Sequence, residues 1–143
     1  MNDRIFVDTN VLVYAALEDQ VHADKRSKAA ALLRDETDIV LSTQVINEFY
    51  VVLLKHGFSD KDIQKRVDEL FQATEVAVIT EDTIRHAWRL RAHNHFSYWD
   101  SLILATSLGK LTGEIDGSGK LTGEIDGSCL TFKHSVGKFR HAT

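Results

Sequence analysis

Three acidic residues stand in settings that surface solvation does not explain. Asp8 follows the apolar run Ile5-Phe6-Val7, and Glu48 lies inside the apolar stretch from Val45 to Leu53. Asp100 precedes Leu102-Ile103-Leu104-Ala105 by a single serine. Taking a carboxylate out of water costs several kcal/mol unless a partner compensates. A shared cation would supply that compensation for all three at once. Each acid also has a plainer reading. Asp8, Thr9 and Asn10 are all good helix N-caps, and Glu48 falls at the border of a helix's apolar stripe, where surface residues and ion-pair partners sit. Ser97-Tyr98-Trp99-Asp100 approximates a capping box, with Asp in the place of Glu or Gln. Capping accounts for an acid at position 100. It does not account for the near absence of a polar face in the residues after it.

The elements that must position these acids follow from local patterning. Arg4 to Val7 reads as a short buried strand, and Val11 to Leu17 as the helix after it. Strand, polar turn and helix open a parallel α/β unit, in which ligands bind at the carboxyl ends of strands. From His22 to Arg34 an amphipathic helix carries Lys25, Arg26, Lys28 and Arg34 on its polar side. That basic face is the best candidate in the sequence for touching phosphates. Asp38 to Ser42 reads as a second strand, and Ser42 or Thr43 as the cap of a helix reaching about Lys55, with Val45, Ile46, Phe49, Val52 and Leu53 as its buried stripe. Gly57 ends that helix, and Ser59 caps the next, Asp60 to Ala73. Val76 to Ile79 reads as a third strand. Thr80 caps the helix after it, where Glu81 and Asp82 complement the helix dipole. His93 to Phe96 forms a loop with surface histidines, and Ser97 caps the helix that holds Asp100.

Composition sets the outer limits. The chain of 143 residues reads as one domain, 1–143, and its 43% apolar content suits a globular fold. A formal charge of −4 provides no overall attraction for nucleic acid, which would need a metal site or a local basic face. The lone Cys129 excludes an internal disulfide framework, and the histidines show no zinc spacing. Met1-Asn2-Asp3-Arg4 runs into the first strand without the pattern of a signal peptide, and no apolar run has the length of a membrane span. The expectation is a soluble, cytoplasmic protein with no membrane partner.

In their order and setting the three acids resemble the PIN-domain family of metal-dependent ribonucleases, especially the VapC-type toxins of bacterial toxin–antitoxin pairs. The matching stretches are Phe6-Val7-Asp8-Thr9-Asn10-Val11-Leu12-Val13-Tyr14, Val45-Ile46-Asn47-Glu48-Phe49 and Phe96-Ser97-Tyr98-Trp99-Asp100-Ser101-Leu102-Ile103-Leu104-Ala105. They span residues from about 4 to 108. The resemblance implies an α/β fold of three layers, a mostly parallel central sheet with helices on both faces. It implies that Asp8, Glu48 and Asp100 are catalytic ligands of Mg²⁺ or Mn²⁺, and that Thr9 and Asn10 order the site. An RNA substrate and a cognate antitoxin are the implied partners. Homodimers are common in such proteins, though the sequence carries no independent marker of one.

After Leu108 the resemblance breaks. Residues 109–118, Gly-Lys-Leu-Thr-Gly-Glu-Ile-Asp-Gly-Ser, recur identically as residues 119–128. In the family this region holds a strand and a further acidic motif. Here the strand resumes near Ser128-Cys129-Leu130-Thr131-Phe132, and Lys133-His134-Ser135 follow it without an acid. The fourth acid is therefore lost or supplied by the repeat, through Glu114, Asp116, Glu124 or Asp126. The glycine-rich copies read as a β-hairpin or loop. The stretch from Glu114 partly matches a calcium loop but has Ile125 where such loops end in Glu. A basic tail, 133–143, closes the chain. The alternative to a nuclease is a catalytically weakened PIN-like module that binds an antitoxin or itself.

Overall fold

The computed structural model describes residues 4–17, 23–35, 38–112, 122–126 and 129–134, with residue 4, residues 110–112 and the last two segments by backbone alone. In chain order the elements are β1 (Arg4–Val7), α1 (Thr9–Ala16), α2 (Ala23–Asp35), β2 (Ile39–Ser42), α3 (Thr43–Lys55) and α4 (Asp60–Ala73). β3 (Glu75–Ala77), α5 (Glu81–His93), α6 (Tyr98–Thr112), β4 (Thr122–Asp126) and β5 (Cys129–His134) complete them.

The strands form one sheet in the order β3-β2-β1-β5-β4. β1, β2 and β3 pair in parallel, whereas β5 runs antiparallel to both β1 and β4. Four of the five strands therefore point one way, as expected for a mostly parallel sheet. Ile5, Phe6 and Val7 are all fully buried, although successive strand side chains point to opposite faces. Both faces of β1 are thus covered, the arrangement that parallel sheets require. α6 lies against β1, β2 and β5, while α1 packs on α2, α3 and β5. Phe6, Val40, Leu41, Val45 and Leu53 anchor the main core. A smaller cluster around Ala87, Leu102 and Ala105 joins α5 to α6.

Serine and threonine caps set most helix starts. Ser42, Ser59 and Thr80 accept bonds from the amides of Val45, Asp62 and Thr83, contacts worth about 1 kcal/mol each. Two expectations need correction. β3 ends at Ala77 rather than Ile79, because its partner β2 ends at Ser42, where α3 begins. Val78, 67% exposed, lies beyond the last pair. The first turn of α6 is also not buried. Its body from Ser101 to Leu108 is largely covered, but Trp99 and Asp100 face solvent. Among the described residues no helix is long and apolar enough to cross a membrane.

Candidate active site

β1 sits where the direction of chain winding changes: β2 and β3 extend the sheet on one side, β5 and β4 on the other. In open α/β sheets the crevice at the carboxyl end of such a strand is the usual ligand site. Asp8 occupies that position. Its side chain is 7% exposed, and one oxygen accepts from the Thr9 amide at 2.6 Å. That is the first amide of α1, not the second or third that a cap usually serves.

Glu48 approaches from α3. Its two carboxylate oxygens are held by neutral donors, the Thr9 hydroxyl at 2.7 Å and the Gln44 amide at 2.9 Å. Neutral donors orient the carboxylate without cancelling its charge, and no cation pairs with Glu48 among the described residues. Thr9 is thus the bridge between the β1–α1 corner and α3, across 39 positions of sequence. Asn10, the other expected ordering residue, is exposed one position further along α1.

Gln44 is the member that sequence reasoning missed. It lies in the first turn of α3, at the carboxyl end of β2, and is 7% exposed. Its Oε1 is buried without a hydrogen-bond partner. The available signal was its place one helical turn before Glu48, which puts both on one face. Asp8, Thr9, Gln44 and Glu48 therefore converge at the carboxyl ends of β1 and β2.

Asp100 lies outside this bonded group. The Ser97 hydroxyl accepts from the Asp100 amide at 3.1 Å, so Ser97 caps α6. The reciprocal half of a capping box is missing: the Asp100 carboxylate has no bonded partner among the described residues. Capping does not occupy this acid. Of the candidates for a fourth acid, Glu114 and Asp116 lie outside the described residues. The backbone of Glu124 is placed in β4, paired through Thr131 of β5 with Val7 of β1. Two inter-strand steps make that roughly 10 Å from the residue preceding Asp8.

The donor set suits a hard divalent cation such as Mg²⁺ or Mn²⁺: carboxylates, a hydroxyl and an orphaned amide oxygen. Among the described residues no three His, Cys, Asp or Glu side chains form a ready cage for a metal. Mg²⁺ does not demand one, because it keeps several waters and binds through one or two carboxylates.

Comparison with known proteins agrees with this architecture. No curated protein matches the sequence. Among solved structures, the fold is similar to Mycobacterium tuberculosis VapC20, described as a toxin that cleaves the sarcin-ricin loop. The TM-score is 0.61 at 18% identity, over 73% of this chain and 82% of that one. At that identity the likeness concerns the fold. The PIN domain family model matches residues 5–113, well over half of the sequence. The chain belongs to the PIN-domain family.

Proposed function

We propose that this protein is an endoribonuclease of the PIN/VapC toxin type, hydrolysing RNA phosphodiester bonds with a bound Mg²⁺ or Mn²⁺. The observation that carries the reading is the Thr9 hydroxyl bond to Glu48, which draws a second carboxylate to the strand end where Asp8 is buried. Membership of a family whose members are usually nucleases supports it.

Each residue then has a distinct task. Asp8 and Glu48 supply negative charge to hold the cation, and Asp100 adds a solvent-facing carboxylate from the start of α6. Thr9 and Gln44 fix the Glu48 carboxylate so that no rotamer search precedes binding. Asn10 orders the entrance beside Asp8. The bound ion would activate a water for attack on phosphorus and neutralise charge on the leaving oxygen. Because Asp8 is buried in a core-forming corner, its charge faces little competing solvation, which strengthens its pull on a cation. A protein antitoxin and self-association are the partners this reading brings with it.

RNA cleavage in Mg²⁺ or Mn²⁺ tests the assignment, comparing the wild type with Asp8→Asn and Asp100→Asn. Both substitutions should slow cleavage on the order of 100-fold, the usual scale for losing one preorganised electrostatic group. Equal cleavage by all three proteins would show that the site lies elsewhere.

A further inference from the structure

The surface beside Asp100 has a composition unlike the rest of the chain. Between Asp82 and Asp100 there is no acidic residue, yet the segment holds three arginines, three histidines and four aromatics. The chain as a whole carries −4. This segment is positive in a molecule whose net charge otherwise repels polyanions.

The structure arranges that segment as a groove. The end of α5 and the turn leading into α6 enclose an open cleft of about 550 Å³, lined by Trp88, Arg91, Ala92, Asn94, His95 and Phe96. Trp88, Arg91 and Ala92 follow one another at helical spacing on α5, so they share one face, and His95 and Phe96 reach the cleft from the turn after it. Trp88 and Phe96, which line the cleft, are 53% and 38% exposed. Large aromatics are normally withdrawn from water, so two left open in one cleft mark a binding surface.

The turn is held in place by its own bonds. Arg91 donates to the Phe96 carbonyl at 2.9 Å, and Asn94 donates to the Leu90 carbonyl at 3.0 Å. Arg85 lies over the Trp88 ring at 5.7 Å and also pairs with Glu81. The rings are thus presented by an ordered frame. Phe96 stands four residues before Asp100, so the turn that lines the groove leads directly into the helix carrying the acid that the proposed function employs.

We propose that this groove binds an unpaired stretch of RNA, with bases stacked on Trp88 and Phe96 and phosphates near Arg91. The inference rests on the nuclease reading for its direction, since it names the form in which RNA reaches the site. Duplex RNA hides its base faces, whereas unstacked bases are bound by aromatic side chains set among cations. The sequence's own candidate for phosphate contact, the basic face of α2, lacks such rings in its exposed part. Its Lys25 is drawn over Tyr14 at 5.2 Å, and Arg34 is paired with Asp35.

The test is binding without cleavage. A fluorescently labelled 12-nucleotide single-stranded RNA is titrated with the full chain in EDTA, and the same strand is then titrated annealed to its complement. Trp88→Ala and Phe96→Ala should each weaken single-strand binding by roughly tenfold, the usual scale for losing one base-stacking ring. Trp88→Phe should retain most of it. Arg91→Gln should lower the slope of log K against log salt by about 0.7, the value for one phosphate contact on a single strand. Melting curves establish that each variant is folded. Unchanged binding in both alanine variants, or equal binding of the duplex, would overturn the proposal. So would variants that alter only the sedimentation of the protein, which would assign the groove to a second protein chain. If the wild type cleaves RNA while the alanine variants bind normally, the groove proposal fails and the nuclease reading stands. If groove-dependent binding is present but no divalent metal supports cleavage, the reverse holds.

Discussion

Asp8→Asn separates the structural from the chemical role of the acid at the end of β1. In metal-free protein the change should be moderate. An asparagine Oδ1 can take the Thr9 amide as Asp8 does at 2.6 Å, and Asn and Asp rank alike as N-caps. The charge lost beside a helix N-terminus in this buried setting is worth up to about 2 kcal/mol. Part of that is offset by relief of repulsion with Glu48, whose oxygens are held only by neutral donors. Unfolding entropy of about 2.1 cal/mol/K per residue over 143 residues gives roughly 0.3 kcal/mol/K. A loss of about 2 kcal/mol shifts Tm by about 7 °C. Metal changes the comparison. Free Mn²⁺ at about a hundred times its Kd stabilises the folded state by about 2.7 kcal/mol, or about 9 °C on the same entropy. A melting series with and without Mn²⁺ should show this rise in the wild type and most of it lost in Asp8→Asn. An equal rise in both proteins would mean that Asp8 holds no cation, and the site would have to be redrawn.

Two further outcomes are expected. Gln44→Leu removes a buried, unpartnered Oε1 together with a donor to Glu48, so urea stability should change by less than about 1 kcal/mol while RNA cleavage falls. Loss of stability with full activity would make Gln44 a structural residue only. His86 is 3% exposed, and burial first, then the charge of Arg89, hold its pKa below the ordinary 6.5. As pH falls through about 6.5, the unfolded chain takes up a proton that the folded chain refuses, so stability drops below that point. Urea midpoints between pH 7.5 and 5.5 should decline more steeply in the wild type than in His86→Leu; parallel declines would remove His86 as the cause.

What the sequence discloses depends on the range of the forces involved. Ser42, Ser59 and Thr80 are legible as caps because a cap acts within three residues. The apolar runs of β1 and β2 are legible because strands covered on both faces need no alternation. The far end of β3 is not, since its length is set by where β2 stops. Nor is the exposure of Asp100, because the residues after it are apolar while what covers each turn is decided by other elements. At the site, Asp8 and Glu48 stand out by residue type, but the Thr9 link joins positions 39 apart and is visible only once the sheet is assembled. Gln44 hides for a related reason: its amide matters through a bond to Glu48 and a buried oxygen, and neither leaves a pattern in composition.

The tandem decapeptide gives the edge of the sheet an unusual ambiguity. Thr122–Asp126, the strand β4, has the same sequence as residues 112–116, whose first member closes α6. One identical segment thus begins at a helix end in one copy and forms a strand in the other. Side-chain chemistry cannot choose between them, so connectivity must. The copy in use lies two residues from β5, because Asp126 pairs with Cys129. Taking the first copy in the same register would leave residues 117–128 between the strands, a longer closure and an entropically costlier one. Residues 122–126, two positions from their partner strand, form the sheet's outer border, and the chain carries that border's sequence twice.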